Sequence, residues 1–484
     1  MSEEDFIEKI IGRFGLYQTW ILFLILISRY PMEFQLTNVV FILPSVDYVC
    51  LDESNLNATN YCPCENPEYD TSGIVSSVTS TWNLICGKTQ LASLAQSMLQ
   101  FGILAGSLIY GYISDRYGRR IACCYAFITD VIFVATSAFV PELWMFLVCR
   151  FLIGTAVGGS MICSYILIIE LGGKSFRPYL TGLLEIAYIT GYFIHPIIAY
   201  FVREWRYLQL ATSVPWVFTI INFWLLPESP RWLITVGKKK EAISILTKIA
   251  KRNHRSVDDI ESIVNKIEEE SSRERQQQHG SYMDLFKTPK IRKYLVITAF
   301  VWFGVAHTFY GINQYIGRLQ GNLYLNVMLS AACLLPGLIL VVFASIHLQR
   351  KISVITSFSV AAISLLVFIF IPDGSDSLSL TFAIVGQVGA YTAFVQIYLF
   401  SSEIFPTVIR NSAMGFASMF GRFGSFVAPF VVNIGVEWLS ITIFSVLAFC
   451  AGFLCFLLPE TKNTVLLNTI QQTEKSKNSS NKNI

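Results

Sequence analysis

Long apolar stretches separated by short polar ones dominate this chain. A helix that crosses a bilayer needs about 20 mostly apolar residues. Runs of that kind lie at 18–43, 91–112, 121–140, 143–169, 179–202, 207–226, 294–316, 323–346, 352–371, 378–402, 411–434 and 437–458. The pattern predicts an all-α integral membrane protein with twelve transmembrane helices. The first run is too long for the apolar region of a signal peptide, and the start ahead of it, Ser2-Glu3-Glu4-Asp5, is acidic where such a peptide is basic. It is therefore expected to remain as a membrane helix. Two polar stretches, 238–251 and 257–278, read as helices outside the bilayer, and the tail 471–484 is rich in Ser, Asn and Lys and reads as disordered.

Composition sharpens this picture. Of 484 residues, 53% are hydrophobic and 14% charged, against about 25% charged in a soluble domain. Mean hydropathy is +0.53. A soluble enzyme, a secreted scaffold and a disordered protein are excluded. The net charge of +3 is too small for a nucleic-acid surface on a chain of this size, so the expected partner is the lipid bilayer.

The Lys and Arg residues give an orientation. Arg116, Arg119 and Arg120 follow the second run, Lys174 and Arg177 the fourth, Arg350 and Lys351 the eighth, and Arg410 the tenth. The connection 227–293 is also basic, whereas 44–90 on the other face is mainly acidic. Lys88, Arg203, Arg206 and Arg318 are the basic residues of that other face. Both termini (1–17 and 459–484) and the 227–293 connection are thus expected in the cytosol, with 44–90 outside. Lys238-Lys239-Lys240 reads as a solvated surface, with anionic lipid as the alternative.

Cysteine usage fits. Cys50, Cys62, Cys64 and Cys86 share the outer connection, where an oxidising environment pairs thiols. Three pairings are open, and Cys62 with Cys64 is the geometrically awkward one. Asn57-Ala58-Thr59 is a glycosylation acceptor on the same face. The other seven cysteines lie in apolar runs, as packing residues.

An internal repeat organises the whole. Glu170 and Arg177 recur as Glu403 and Arg410, both at an offset of 233; Pro227-Glu228, closing the sixth run, recurs as Pro459-Glu460 at 232. The chain therefore divides into two pseudo-symmetric six-helix halves, 18–226 and 294–458. The sharpest local motif, Gly111-Tyr-Ile-Ser-Asp115-Arg116-Tyr-Gly118-Arg119-Arg120, joins the second and third runs. Its glycines suit a tight turn and close helix approach. Its Asp suits a helix start, and its arginines suit carboxylates or helix ends. The same offset in the second half lands on Leu348-Gln349 before Arg350-Lys351, a degenerate copy.

This motif resembles the signature loop of the major facilitator superfamily. Further strings resemble the organic ion transporter family within it, the carriers of organic cations, anions and carnitine. They are Ser80-Thr81-Trp82-Asn83-Leu84-Ile85-Cys86, Arg150-Phe-Leu-Ile-Gly154, Trp205-Arg206-Tyr207-Leu208-Gln209, Pro227-Glu-Ser-Pro-Arg-Trp-Leu233, Glu403-Ile-Phe-Pro-Thr-Val-Ile-Arg410-Asn411 and Pro459-Glu-Thr461. The resemblance spans nearly the whole chain. It implies transport of a small organic ion by alternating access, with a substrate site between the halves near mid-membrane, and no cofactor. In that superfamily Glu170, Arg177, Glu403 and Arg410, with Asp115, Arg119 and Arg120, would form a charge network closing the cytosolic side.

Ionisable residues inside a span cost about 2.5–3.5 kcal/mol on insertion scales and are functional candidates by default. Those here are Arg29, Glu33, Asp130, Arg150, Glu185, His307 and Arg422. Arg29 and Glu33 are four apart, hence on one helix face, and are expected to pair. Arg150 reads as a packing or gating contact, and Asp130 has no evident role. Arg422 falls about 16 Å into the eleventh run at 1.5 Å per residue, near mid-depth. The resemblance places Arg at this position in carriers of organic anions or carnitine and Asp in cation carriers. A guanidinium fork suits carboxylate or sulfate; the competing role is an ion pair with Glu185. Leu334 stands where cation carriers place an acid, and Leu338 where several anion carriers place Lys.

Glu185 together with Arg422 would suit a zwitterion, which keeps carnitine-like substrates open. Trp302, Phe309 and Tyr310 match the family's seventh-helix string. Tyr391, Phe394 and Tyr398 share one face of the tenth run, with Gln387 and Gln396 adding polarity. Both aromatic groups are expected to wall the substrate site, and Asn38 matches a first-helix Asn of the anion carriers. No metal-binding His pair, P-loop or nucleophile elbow is present, so an enzyme is not expected. The alternative of another class is a non-transporting receptor or scaffold that keeps the fold.

Overall fold

The computed structural model describes residues 6–51, 58–257, 259–277, 283–372 and 374–462. The acidic start, Asn57 and the tail 471–484 lie outside the described residues.

Twelve helices carry the chain. In the first half they are α1 (Leu16–Thr37), α2 (Thr89–Tyr117), α3 (Arg119–Ser137), α4 (Leu143–Leu171), α5 (Arg177–Phe201) and α6 (Trp205–Leu225). The second half has α7 (Pro289–Ile316), α8 (Leu323–His347), α9 (Arg350–Phe368), α10 (Asp376–Ile404), α11 (Thr407–Val432) and α12 (Glu437–Cys455). Among the described residues, eleven helices are long and apolar enough to cross a membrane. The twelfth, α1, has 22 residues, about 33 Å at 1.5 Å per residue; Gln18, Arg29, Glu33 and Gln35 dilute its apolar character.

Two runs differ in detail from the expected helices. The first run, 18–43, does not continue as one helix: α1 ends at Thr37, and a short helical turn, Val39–Ile42, follows. In α6 the α-helix stops at Ser213 and a 3₁₀ stretch, Val214–Ile221, takes over. Pro215 explains the change, because it has no N–H for the carbonyl four residues back.

The chain forms two compact units. One comprises Met1–Asn38 with Phe101–Gln278. Within it α3 packs on α4 and α6, and α1 on α4 and α5. The backbones of α2 and α4 come close where a Cβ on Gly106 would meet the Thr155 backbone and one on Gly158 the Ile103 carbonyl, the small-residue contact that membrane helices favour. The polar stretches of the central connection form helices Lys239–Arg252 and Ile260–Gln277, as their periodicity predicts. An unpredicted helix, Phe6–Ile11, buries Ile7, Ile10 and Ile11 in the same core as Leu246, Ile249 and Val264. Lys239 reaches across to Glu268 at 2.5 Å, so this part of the basic run is paired rather than simply solvated.

The other unit comprises Val39–Gln100 with His279–Ile484. Its centre is α7, packed on α10, α11 and α12. The first connection forms a small antiparallel sheet in the order β2 (Ala58–Thr59), β1 (Tyr48–Cys50), β3 (Pro67–Tyr69), with Tyr48 opposite Tyr69. Disulfides Cys50–Cys64 and Cys62–Cys86 staple it, which selects one of the open pairings. The first turns of α2 belong to this unit. Ser93 donates to the Pro429 carbonyl (3.2 Å), Ser97 to the Phe426 carbonyl (2.7 Å), and the Asn433 amide to Ser93 (2.5 Å). The compact units therefore divide α2, whereas the sequence repeat assigns all of it to the first half.

Candidate functional site

In the first unit, the i,i+4 spacing of Arg29 and Glu33 puts both on one face of α1, and both are buried. The Arg29 Nε and Nη2 donate to Glu33 Oε1 at 3.1 and 3.0 Å, and Nη1 donates to the Ser164 hydroxyl of α4 at 2.9 Å. Glu185, half-buried on α5, lies within electrostatic reach of Glu33.

A polar layer continues along α1. The Gln35 amide donates to Gln209 Oε1 (3.2 Å), Asn38 donates to the same oxygen (2.6 Å), and Gln209 donates to Ser137 (3.1 Å). Arg150, wholly buried, donates to Gln35 Oε1 at 3.4 Å. This ties α4 to α1, a contact that serves packing or gating alike. Asn38 is also fully buried, with its amide nitrogen engaged and its Oδ1 in no hydrogen bond. His195 of α5, absent from the sequence candidates, is fully buried with Nδ1 2.8 Å from the Thr37 hydroxyl. A histidine inside the apolar run 179–202 was the available signal.

In the second unit the two aromatic groups meet. Trp302 and Tyr398 are edge to face at 4.4 Å between centroids, and Phe394 stands 6.5 Å from Trp302 and 5.7 Å from Phe309. Tyr391 and Tyr310 complete the cluster at 6.0 Å from Phe309 and 6.5 Å from Phe394. The Trp302 indole N–H donates to Ser401 (2.9 Å), which fixes the ring. Tyr398 keeps 41% of its surface exposed while Trp302 keeps 2%, so the cluster is a packed wall with one open edge. Spacings of three and four along α10 produced this face.

Gln387 and Gln396 do not join it. Each is buried and bonded to a neighbouring helix, Gln387 to Ser330 (2.5 Å) and Gln396 to Ser353 (2.9 Å). Polar pairs between membrane helices of this kind act as interhelical contacts. Arg422 lies just past the middle of the 26-residue α11 and is half-buried. Two residues further along, the Gly424 carbonyl accepts from His307 Nδ1 at 3.0 Å.

The acids at the charged helix ends find these partners. Glu170 takes Arg119 as its partner (3.3 Å), rather than Arg177, and Arg119 also bonds Asp115. Glu403 takes Arg350 (3.4 Å) and the Thr461 hydroxyl (2.5 Å). Arg410 instead donates to the Phe405 carbonyl at 3.2 Å, within electrostatic reach of Glu403.

Sequence reasoning missed what the Pro-Glu repeats do. The Glu228 carboxylate accepts the backbone N–H groups of Arg119 (2.8 Å), Arg120 (3.0 Å) and its neighbour Ser229 (2.9 Å), capping α3. Glu460 accepts those of Arg350 (2.9 Å), Lys351 (3.1 Å) and Lys462 (2.9 Å), capping α9. Free N–H groups at a helix start carry partial positive charge, so a carboxylate belongs there. Burial nevertheless pushes the Glu228 carboxyl above its ordinary range, outweighing the downward pull of those N–H groups. Arg120 enters through its backbone N–H.

Comparison with known proteins agrees with this architecture. A family described as "Sugar (and other) transporter" matches residues 53–471. The chain is 32% identical over 418 residues to an organic cation transporter protein of Drosophila melanogaster, covering 85% of this chain and 76% of that one. It is 35% identical over 407 residues to solute carrier family 22 member 3 of Rattus norvegicus (83% and 72% covered). Solute carrier family 22 member 12 of Mus musculus is 33% identical over 440 residues (88% and 79% covered). Among solved structures, the inward-open xylose transporter XylE from E. coli superposes with a TM-score of 0.70 at 19% identity, over 93% of this chain and 98% of that one; this likeness concerns the fold. The chain belongs to the major facilitator superfamily and, within it, to solute carrier family 22, as a membrane transporter and not an enzyme.

Proposed function

We propose that this transporter carries small organic anions by alternating access. The observation that carries the reading is Arg422, a permanent cation near the middle of α11. A charge at that depth is retained where it has work to do, and a planar guanidinium binds carboxylate or sulfate in two-pronged fashion. The six-ring wall on α7 and α10 supplies the apolar surface that a drug-sized ion needs. Arg29 is neutralised by Glu33, so it adds no net charge beside the substrate path.

The paired ends, Asp115–Arg119–Glu170 and Arg350–Glu403, with Arg120, Arg177 and Arg410 nearby in sequence, act as the gating network on the cytosolic side. Arg119 and Glu170 keep 14% and 18% of their side-chain surface exposed, Arg350 and Glu403 20% and 18%, so water can replace each partner when that side opens. The termini and the central connection face the cytosol, in the plasma membrane, and Asn57 carries glycan on the outer face.

A second reading has its own support. The Drosophila relative is named for organic cations, and Glu185 could receive the positive end of a cation or of a carnitine-like zwitterion. Uptake into proteoliposomes of one organic anion, one organic cation and carnitine separates these. Saturable anion uptake above empty liposomes supports the proposal; cation uptake alone contradicts it. Saturable binding without flux would indicate a receptor that keeps the fold.

A further inference from the structure

Asp130 on α3 takes no part in the polar layer along α1, the aromatic cluster or the charged helix ends. It is 1% exposed, its Oδ1 makes no hydrogen bond, and it enters none of the ion pairs among the described residues. Every helix packed around it offers the wrong partner. From α1, Glu33 lies within electrostatic reach, while Arg29 has its donors directed to Glu33 and Ser164. From α4, Arg150 bonds Gln35, and Cys163 bonds the Tyr110 carbonyl. From α2, the Tyr110 hydroxyl is 2.7 Å from Thr129. On α6, Arg206 donates to the carbonyls of Ala138 (2.7 Å) and Val140 (3.0 Å), and Glu185 of α5 adds another acid beside Glu33. Along α3 itself come Cys123 and Cys124, then Arg119 and Arg120 at its first turn.

An ionised carboxylate so placed would be a dry charge with an acid as its neighbour and no cation of its own. Taking such a charge out of water costs several kcal/mol, and a buried carboxyl avoids this by holding a proton. The cation of α1, Arg29, already serves Glu33. A movement of the surrounding helices that admitted water would let Asp130 ionise, and one that closed them again would reload it. Proton occupancy and the packing of these helices are then one linked equilibrium.

We infer that Asp130 is a proton-binding site within the membrane and that its loading makes transport depend on pH. Only the second half of this inference rests on the transport function proposed above. Infrared difference spectroscopy of the purified, lipid-reconstituted protein during a pH change tests the first half. The carboxylic-acid C=O band of the wild type should be absent from Asp130→Asn. A band unchanged in the variant overturns the proton site.

Initial uptake rates at matched inner and outer pH test the second half. Wild-type rates should change with pH at a limiting slope of about tenfold per unit, as one proton requires, and Asp130→Asn should be flat. The same profile in both overturns the coupling. If the wild type carries no ion at all, the transport reading fails instead, and the infrared band still decides the proton site.

Discussion

Two glycines of the signature loop show how much single atoms decide. Gly118 holds φ at +119°, a backbone region that side chains rarely adopt, and an added Cβ would run into the Glu228 carboxylate. Gly111, in the same motif, has nothing within 4 Å of such a Cβ. The motif suggested one role for both, yet only Gly118 needs to be glycine. Gly118→Ala should destabilise the protein by about 1–3 kcal/mol from strain alone. Gly111→Ala should leave thermal unfolding in detergent unchanged or slightly later, since Ala favours helix. The Arg29–Glu33 pair makes a second residue-scale case. Removing either partner leaves the other charge buried, at about 3–5 kcal/mol. The double replacement Arg29→Met with Glu33→Met should cost well under the sum of the singles, and a double-mutant cycle on unfolding checks this.

At the scale of elements, the second signature loop is degenerate in sequence but intact in structure. Leu348 stands at the offset position of Asp115, yet Glu460 caps α9 as Glu228 caps α3, and Arg350–Glu403 mirrors Arg119–Glu170. The sequence revealed the Pro-Glu repeat but not its purpose, because Glu228 and the N–H it caps are 109 residues apart. Helix periodicity and composition report on neighbours along the chain; a cap closed from a distant loop leaves no local trace. Glu228→Ala and Glu460→Ala should each cost about 1.5–3 kcal/mol, the worth of hydrogen bonds to a charged group. Parallel losses in thermal stability would mark the two caps as equivalent. A loss at Glu228 alone would show that the second copy no longer matters.

For the whole molecule, the twelve apolar runs foretold the twelve helices, since a bilayer dictates their length and composition. The aromatic wall was equally legible, because spacings of three and four place Tyr391, Phe394 and Tyr398 on one face whatever the surroundings. Cysteine pairing, the ion-pair partners of Glu170 and Glu403, and the division of α2 between compact units were not legible. Each depends on which distant segments meet. The same holds for Asp130, whose meaning comes from the helices around it and not from its own.

Arg422 is proposed to face the substrate and to select its charge. The most direct measurement compares wild type with Arg422→Asp in the same proteoliposomes, for anion and cation uptake side by side. The proposal predicts that anion uptake falls at least about tenfold in the variant, the loss of one charge-assisted contact worth about 1.5 kcal/mol or more, while protein incorporation and unfolding temperature stay the same. Anion uptake that survives the substitution, or wild-type uptake confined to cations, would contradict it and return Arg422 to a structural role.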